Sequence, residues 1–151
     1  MTRLLGALLI ILIVAGCGGT TDEPEAQAPE VVCSTPDPVV VSSIEQGLTM
    51  SGAGSLTGAK SLDVPPEFQN SAGWPEIFVA ADIDGPGMEG SDEIAVWATS
   101  DGYGPIWAID EMAREFSDWG TGAQPGSEAR EAQDLLRSSE AYDDVRDCAD
   151  G

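Results

Sequence analysis

Apolar and polar positions divide this chain into three regimes. Residues 4–14 form a charge-free apolar run that ends in Ala15, Gly16 and Cys17. Residues 18–30 contain no large apolar side chain. From there on, apolar positions recur with the periods of folded elements. Asp37-Pro38 before Val39, Val40 and Val41, with Gly47 after Ile44, punctuates a short helix: a capping carboxylate, a proline in the first turn and a glycine exit. The triple valine equally suits a strand. Leu48, Met50, Leu56, Leu62 and Val64, scattered among Gly and Ser, predict short strands joined by glycine turns, and 65–75 reads as a loop. Residues 77–81 and 93–99 are the clearest strands and predict an antiparallel hairpin with a long connection. A turn at 101–105 leads to a short strand at 106–108.

Helical periodicity then takes over. Asp110 can cap a helix whose apolar stripe is Ile109, Met112, Ala113 and Phe116, closed by Trp119-Gly120. Ser127 opens a last helical region with Ala129, Ala132, Leu135 and Leu136 on one face. It breaks at Ser138-Ser139 and continues through Tyr142 and Val145 to Cys148. Strands first and helices afterwards predict an α+β domain over 33–151, a small antiparallel sheet with helices packed on one face.

The N-terminus changes the picture more than any other segment. Arg3 is followed by an apolar run of about eleven residues, the length of a signal-peptide core, and well short of the roughly twenty a spanning helix needs. Val14-Ala15-Gly16-Cys17 resembles the bacterial lipobox. That resemblance implies cleavage after a signal peptide at 1–16 and a lipid on Cys17, hence a protein anchored at the extracytoplasmic face of the cell membrane. Two or more acyl chains give stable anchoring where one is marginal. Gly, Pro and acidic residues over 17–32 bury too little surface to fold and predict a disordered acidic tether.

Three cysteines are present. With Cys17 lipidated, Cys33 and Cys148 remain as an even pair in an oxidising compartment, which predicts a disulfide between the two ends of the domain. The chain carries 27 acidic against 6 basic residues, a net charge of −21. Phosphate recognition needs basic patches, so this balance excludes nucleic acid as the expected partner. Acidity of this degree also serves solubility or adaptation to salt without any ligand.

Candidate chemistry is sparse. The segment 82–93 places Asp82, Asp84, Gly87 and Glu93 at positions 1, 3, 6 and 12 of a calcium loop, with Asp92 beside them. Hard oxygen donors in that pattern suit Ca²⁺. Pro86 stands where a side-chain oxygen is wanted, however, and the flanks read as strands, so an ordinary solvated hairpin loop is the better fit. There is no histidine, which removes His-based triads and His-ligated zinc. Thr57-Gly58-Ala59-Lys60 is a poor echo of a Ser-x-x-Lys pair in glycine-rich text. Trp97 and Trp107 fall on strands and are expected in the core, while Trp74 and Trp119 fit either core or an exposed stacking surface.

The stretch 93–120 is similar to parts of small secreted actinobacterial proteins of unassigned function, through its Trp97-Ala98-Thr99 strand end, Ile106-Trp107-Ala108, and the Phe116-Ser117-Asp118-Trp119-Gly120 ending. The likeness implies no site. The reading is a non-catalytic binding or scaffolding module held at the membrane, with an envelope protein or glycan as partner. A calcium-dependent module and an envelope hydrolase using carboxylates are the alternatives. An acidic cleft with a shifted carboxylate pKa would favour the hydrolase, and an exposed apolar or aromatic patch the binder.

Overall fold

The computed structural model describes residues 31–50, 54–70, 74–88, 93–120 and 124–151. The leader and all but the last two residues of the tether assigned to 17–32 lie outside them. Helix α1 spans Pro38–Glu45. Asp37 accepts the Val39 N–H at 2.8 Å, Pro38 fixes the first turn, and Val40 and Ile44, one turn apart, are buried. Cap, proline and i,i+4 spacing together outweigh the strand preference of the three valines. Strands β1 (Ser55–Asp63), β2 (Ile77–Asp84), β3 (Ile94–Thr99) and β4 (Trp107–Ala108) follow, then helices α2 (Glu111–Phe116), α3 (Glu128–Arg137) and α4 (Glu140–Asp150).

The four strands form one antiparallel sheet in the order β1-β2-β3-β4. The expected hairpin is its centre, with Val79 opposite Trp97 and Ala80 opposite Val96. The short strands expected over 48–64 are instead one nine-residue strand, β1. A bulge between Thr57 and Lys60 shifts its register, with Gly58 at φ 64°. The glycine that reads as a turn in the sequence accommodates a bulge within one continuous strand.

All six residues of β3 are buried. Successive side chains point to opposite faces of a sheet, so a strand buried throughout needs cover on both. One face carries Val79, Ala81, Ile83, Ala95 and Trp97 against Val40 and Ile44 of α1 and Ala113 of α2. The other carries Phe78, Ala80, Val96 and Ala98 against Leu136 of α3 and Ala141, Tyr142 and Val145 of α4. The domain is therefore α+β with a small antiparallel sheet. Its helices, expected on one face, cover both, because the apolar run 77–81 offers no solvent-facing side.

Helix α2 ends at Phe116, short of the expected close at Trp119. Ser117 donates from its hydroxyl to Ala113 O and accepts the Trp97 indole N–H, while the backbone turns extended at Ser117. The chain then runs back along 47–49, where Thr49 donates to Phe116 O and Asp118 to Gly47 O. Trp119 donates its indole N–H to Ile44 O at 3.0 Å and lies directly over Gly47, where a Cβ would come within 2.2 Å of the indole nitrogen. Of the other tryptophans, Trp97 is fully buried. Trp107 is half-buried and meets Trp74 edge-on, ring centroids 4.2 Å apart.

Cys33 and Cys148 form the disulfide, 115 residues apart in sequence. Closing a loop of that length removes denatured-state entropy corresponding to about 4–5 kcal/mol in the chain-entropy model. A Cys33→Ser/Cys148→Ser variant is therefore expected to lose up to about 4 kcal/mol in denaturant unfolding; an unchanged midpoint and slope would contradict the clamp. Gly47→Ala is expected to cost about 1–3 kcal/mol by displacing Trp119, read in the same assay.

Candidate functional site

Of the expected calcium ligands Asp82, Asp84, Asp92 and Glu93, three are among the described residues. Asp82 and Asp84 occupy the last turn-ward positions of β2. Asp82 accepts a long hydrogen bond from the Thr57 hydroxyl at 3.5 Å, and its other carboxylate oxygen is buried without a partner. Asp82 lines a hollow with Ile94, Ala149 and Asp150. Glu93 lines a different hollow with Asp110. Asp84 is exposed, and Asp92 lies outside the described residues. Among the described residues no group of three or more His, Cys, Asp or Glu side chains is placed to hold a metal ion. The flanks are strands, β2 and β3, where an EF-hand has helices.

A better-formed site lies between α2 and α4, at the end of β3. It is an open groove of about 380 Å³. Glu111, Met112 and Glu115 of α2 form one wall. Arg137 at the end of α3, with Tyr142 and Arg146 of α4, forms the other. Ile94 lies at the base, with Glu93 and Asp110 beside it. Sequence features position these groups. Asp110 caps α2, its Oδ1 accepting the Ala113 N–H at 2.8 Å. Ser139 caps α4 by accepting the Tyr142 N–H at 3.3 Å, so the Ser138-Ser139 break sets where Tyr142 falls. Arg146 follows one turn later on the same face.

Asp110 and Tyr142 join the walls. Tyr142 donates from its hydroxyl to Asp110 Oδ2 at 3.5 Å, in a buried setting. Asp110 is 5 % exposed. Burial pushes its carboxyl above the ordinary value, opposed by the backbone N–H groups of Ala113 and Val96 and by the charges of Arg137 and Arg146. The Tyr142 phenol is also raised, first by burial and then by the negative charge of Asp110, while Arg146 and Arg137 pull it down. Arg114 donates to Ile109 O at 2.6 Å. Its guanidinium is held below its usual value by burial and by the neighbouring charges of Arg130 and Arg137. Arg114, Arg130, Arg137 and Arg146 thus gather on α2, α3 and α4, while Lys60 lies on β1.

Sequence alone assigns Asp110 a capping role and Tyr142 a place on the last helix, and does not single out Arg137 or Arg146. One signal was available: four of the six basic residues fall between positions 114 and 146. No family model, curated protein or solved structure matches the chain.

Because burial raises the folded-state pKa of Asp110 above its unfolded value, folding favours the protonated form. Its contribution to stability is complete below the unfolded carboxylate range, about 4, and is lost as pH rises through the raised folded value. Asp110→Asn keeps a capping oxygen and removes the titration. Its melting temperature relative to the parent is expected to increase as pH is raised above that range. A difference independent of pH would contradict the assignment.

Proposed function

We propose that the protein is a lipid-anchored, extracytoplasmic binding domain at the outer face of the cell membrane, with the groove between α2 and α4 as its ligand site. The Cys33–Cys148 disulfide carries the reading. Such bonds persist in oxidising compartments, and its formation leaves Cys17 as the one remaining cysteine, directly after Val14-Ala15-Gly16. The apolar run 4–14 and the lipobox-like Val14-Ala15-Gly16-Cys17 support attachment through a lipid on that sulfur. The charge balance supports a partner other than nucleic acid, namely an envelope protein or glycan component. Tyr103, 81 % exposed beside the partly exposed Val39, supplies a second contact surface of the kind binding domains use.

A carboxylate-based hydrolase is the second reading, favoured by the raised pKa of Asp110 in an acidic groove. It ranks below binding because both Asp110 oxygens already serve the fold, one as a helix cap and one as the acceptor for Tyr142. A calcium-dependent module has less support, since Asp82 and Glu93 face separate hollows.

In cells, Cys17→Ser is expected to block lipid attachment and move the protein out of the membrane fraction, with the disulfide intact. A variant that sediments with membranes as fully as the parent would refute the anchor.

A further inference from the structure

The two walls of the groove carry opposite charge. Glu111 and Glu115 are exposed and one turn apart on α2, so they share a face. Arg137 and Arg146 are exposed on the opposing wall. Among the described residues the one ion pair is Arg130–Asp134, at 3.3 Å. No ion pair within 4 Å therefore joins Glu111 or Glu115 to Arg137 or Arg146, while both arginines act from a distance on the buried Asp110. Met112, half-buried, and Ile94, buried, offer apolar surface between them. Tyr142 and Asp110, both buried, hold the walls together beneath. The volume of about 380 Å³ suits a small ligand, for which pockets run from about 300 Å³ upward.

We propose that this groove binds a zwitterionic ligand, an amino acid or short peptide carrying a free carboxylate and a free ammonium on an aliphatic stem. The inference rests on the reading of the chain as a binding domain and names its ligand class. The carboxylate meets the guanidinium groups of Arg137 and Arg146, which can donate to it in parallel. The ammonium meets Glu111 and Glu115, and the stem covers Met112 and Ile94. An anion lacking the ammonium would leave the acidic wall unpaired and face Glu93 and Asp110. A cation lacking the carboxylate would face the two arginines. Only a ligand with both charges satisfies both walls, which makes the discrimination partly repulsive.

Three probes of matched length separate the possibilities: 6-aminohexanoate, hexanoate and n-hexylamine. The full lipidated chain, in a non-ionic detergent and labelled at methionine methyl groups, is titrated with each. The Met112 resonance, assigned with Met112→Leu, and calorimetry are the readouts. 6-Aminohexanoate is expected to shift Met112 saturably and to bind at least about tenfold more tightly than either single-charge probe, about 1.4 kcal/mol. Glu111→Gln/Glu115→Gln and Arg137→Gln/Arg146→Gln are each expected to erase that preference while keeping the parent's melting temperature within a few degrees.

Equal binding of hexanoate or hexylamine would overturn the ligand class while leaving a binding groove. Undiminished preference in both double variants would overturn the assignment of the walls. No saturable shift with any of the three probes would overturn both the ligand class and the groove as the binding site. None of these outcomes alters where Cys17→Ser places the protein, so failure of the ligand class and failure of the anchor are read separately.

Discussion

The covalent tie between Cys33 and Cys148 is the constraint from which most of the architecture follows. Cys33 immediately precedes Ser34, which exchanges backbone hydrogen bonds with Ser61 at 2.9 and 2.8 Å and so attaches the entering chain to β1. Cys148 lies in the last turn of α4. The bond therefore fixes the C-terminal end of α4 beside the outer edge of the sheet. Ala141, Tyr142 and Val145 of the same helix bury themselves on β2 and β3. Apolar packing holds α4 along its length and the disulfide holds its end. With α4 fixed in this way, Tyr142 and Arg146 face α2 and complete the groove.

The second organising feature is the double burial of β3. A strand buried at all six positions must be covered twice, and small side chains at Ala80, Ala81, Ala95 and Ala98, all fully buried, allow the helices to approach. This brings helices to opposite faces of one small sheet. Their ends meet where β3 begins, and there Asp110 connects them. One side chain both caps α2 and receives the Tyr142 hydroxyl from α4. The cost of burying that carboxylate appears as its raised pKa.

Much of the fold was legible in the sequence because its signals are local. Asp37 and Asp110 cap the helices their positions suggested, Ser127 caps the helix it was expected to open, and Ser139, expected only within a break, caps α4. The runs at 77–81 and 93–99 pair as read, and the break at Ser138-Ser139 separates α3 from α4. What escaped depends on partners remote in sequence. Gly58 looks like a turn until β2 pairs on both sides of it. The early end of α2 is set by Ser117 bonding to Trp97 and by the antiparallel bridge between Ser117 and Leu48. The second helical layer is implied by the all-apolar run of β2, but α1 gives no local indication of the face it will cover. The groove was least legible of all. Its residues come from α2, α3, α4 and the start of β3, and no spacing joins them. An aspartate that reads as an ordinary cap acquires its buried character only when Tyr142 arrives 32 residues later. The calcium-like spacing at 82–93 was legible, and among the described residues Asp82 and Glu93 line separate hollows.

The disulfide and the proposed anchor give each of the three cysteines one role: Cys33 and Cys148 bond to each other, and Cys17 is proposed to carry the lipid. Mass spectrometry of the native protein extracted from membranes and digested without reduction tests this directly. The account predicts an N-terminal peptide beginning at a lipid-modified Cys17, together with a cross-linked pair of peptides containing Cys33 and Cys148. An unmodified Cys17, a disulfide involving Cys17, or free thiols at Cys33 and Cys148 would contradict it.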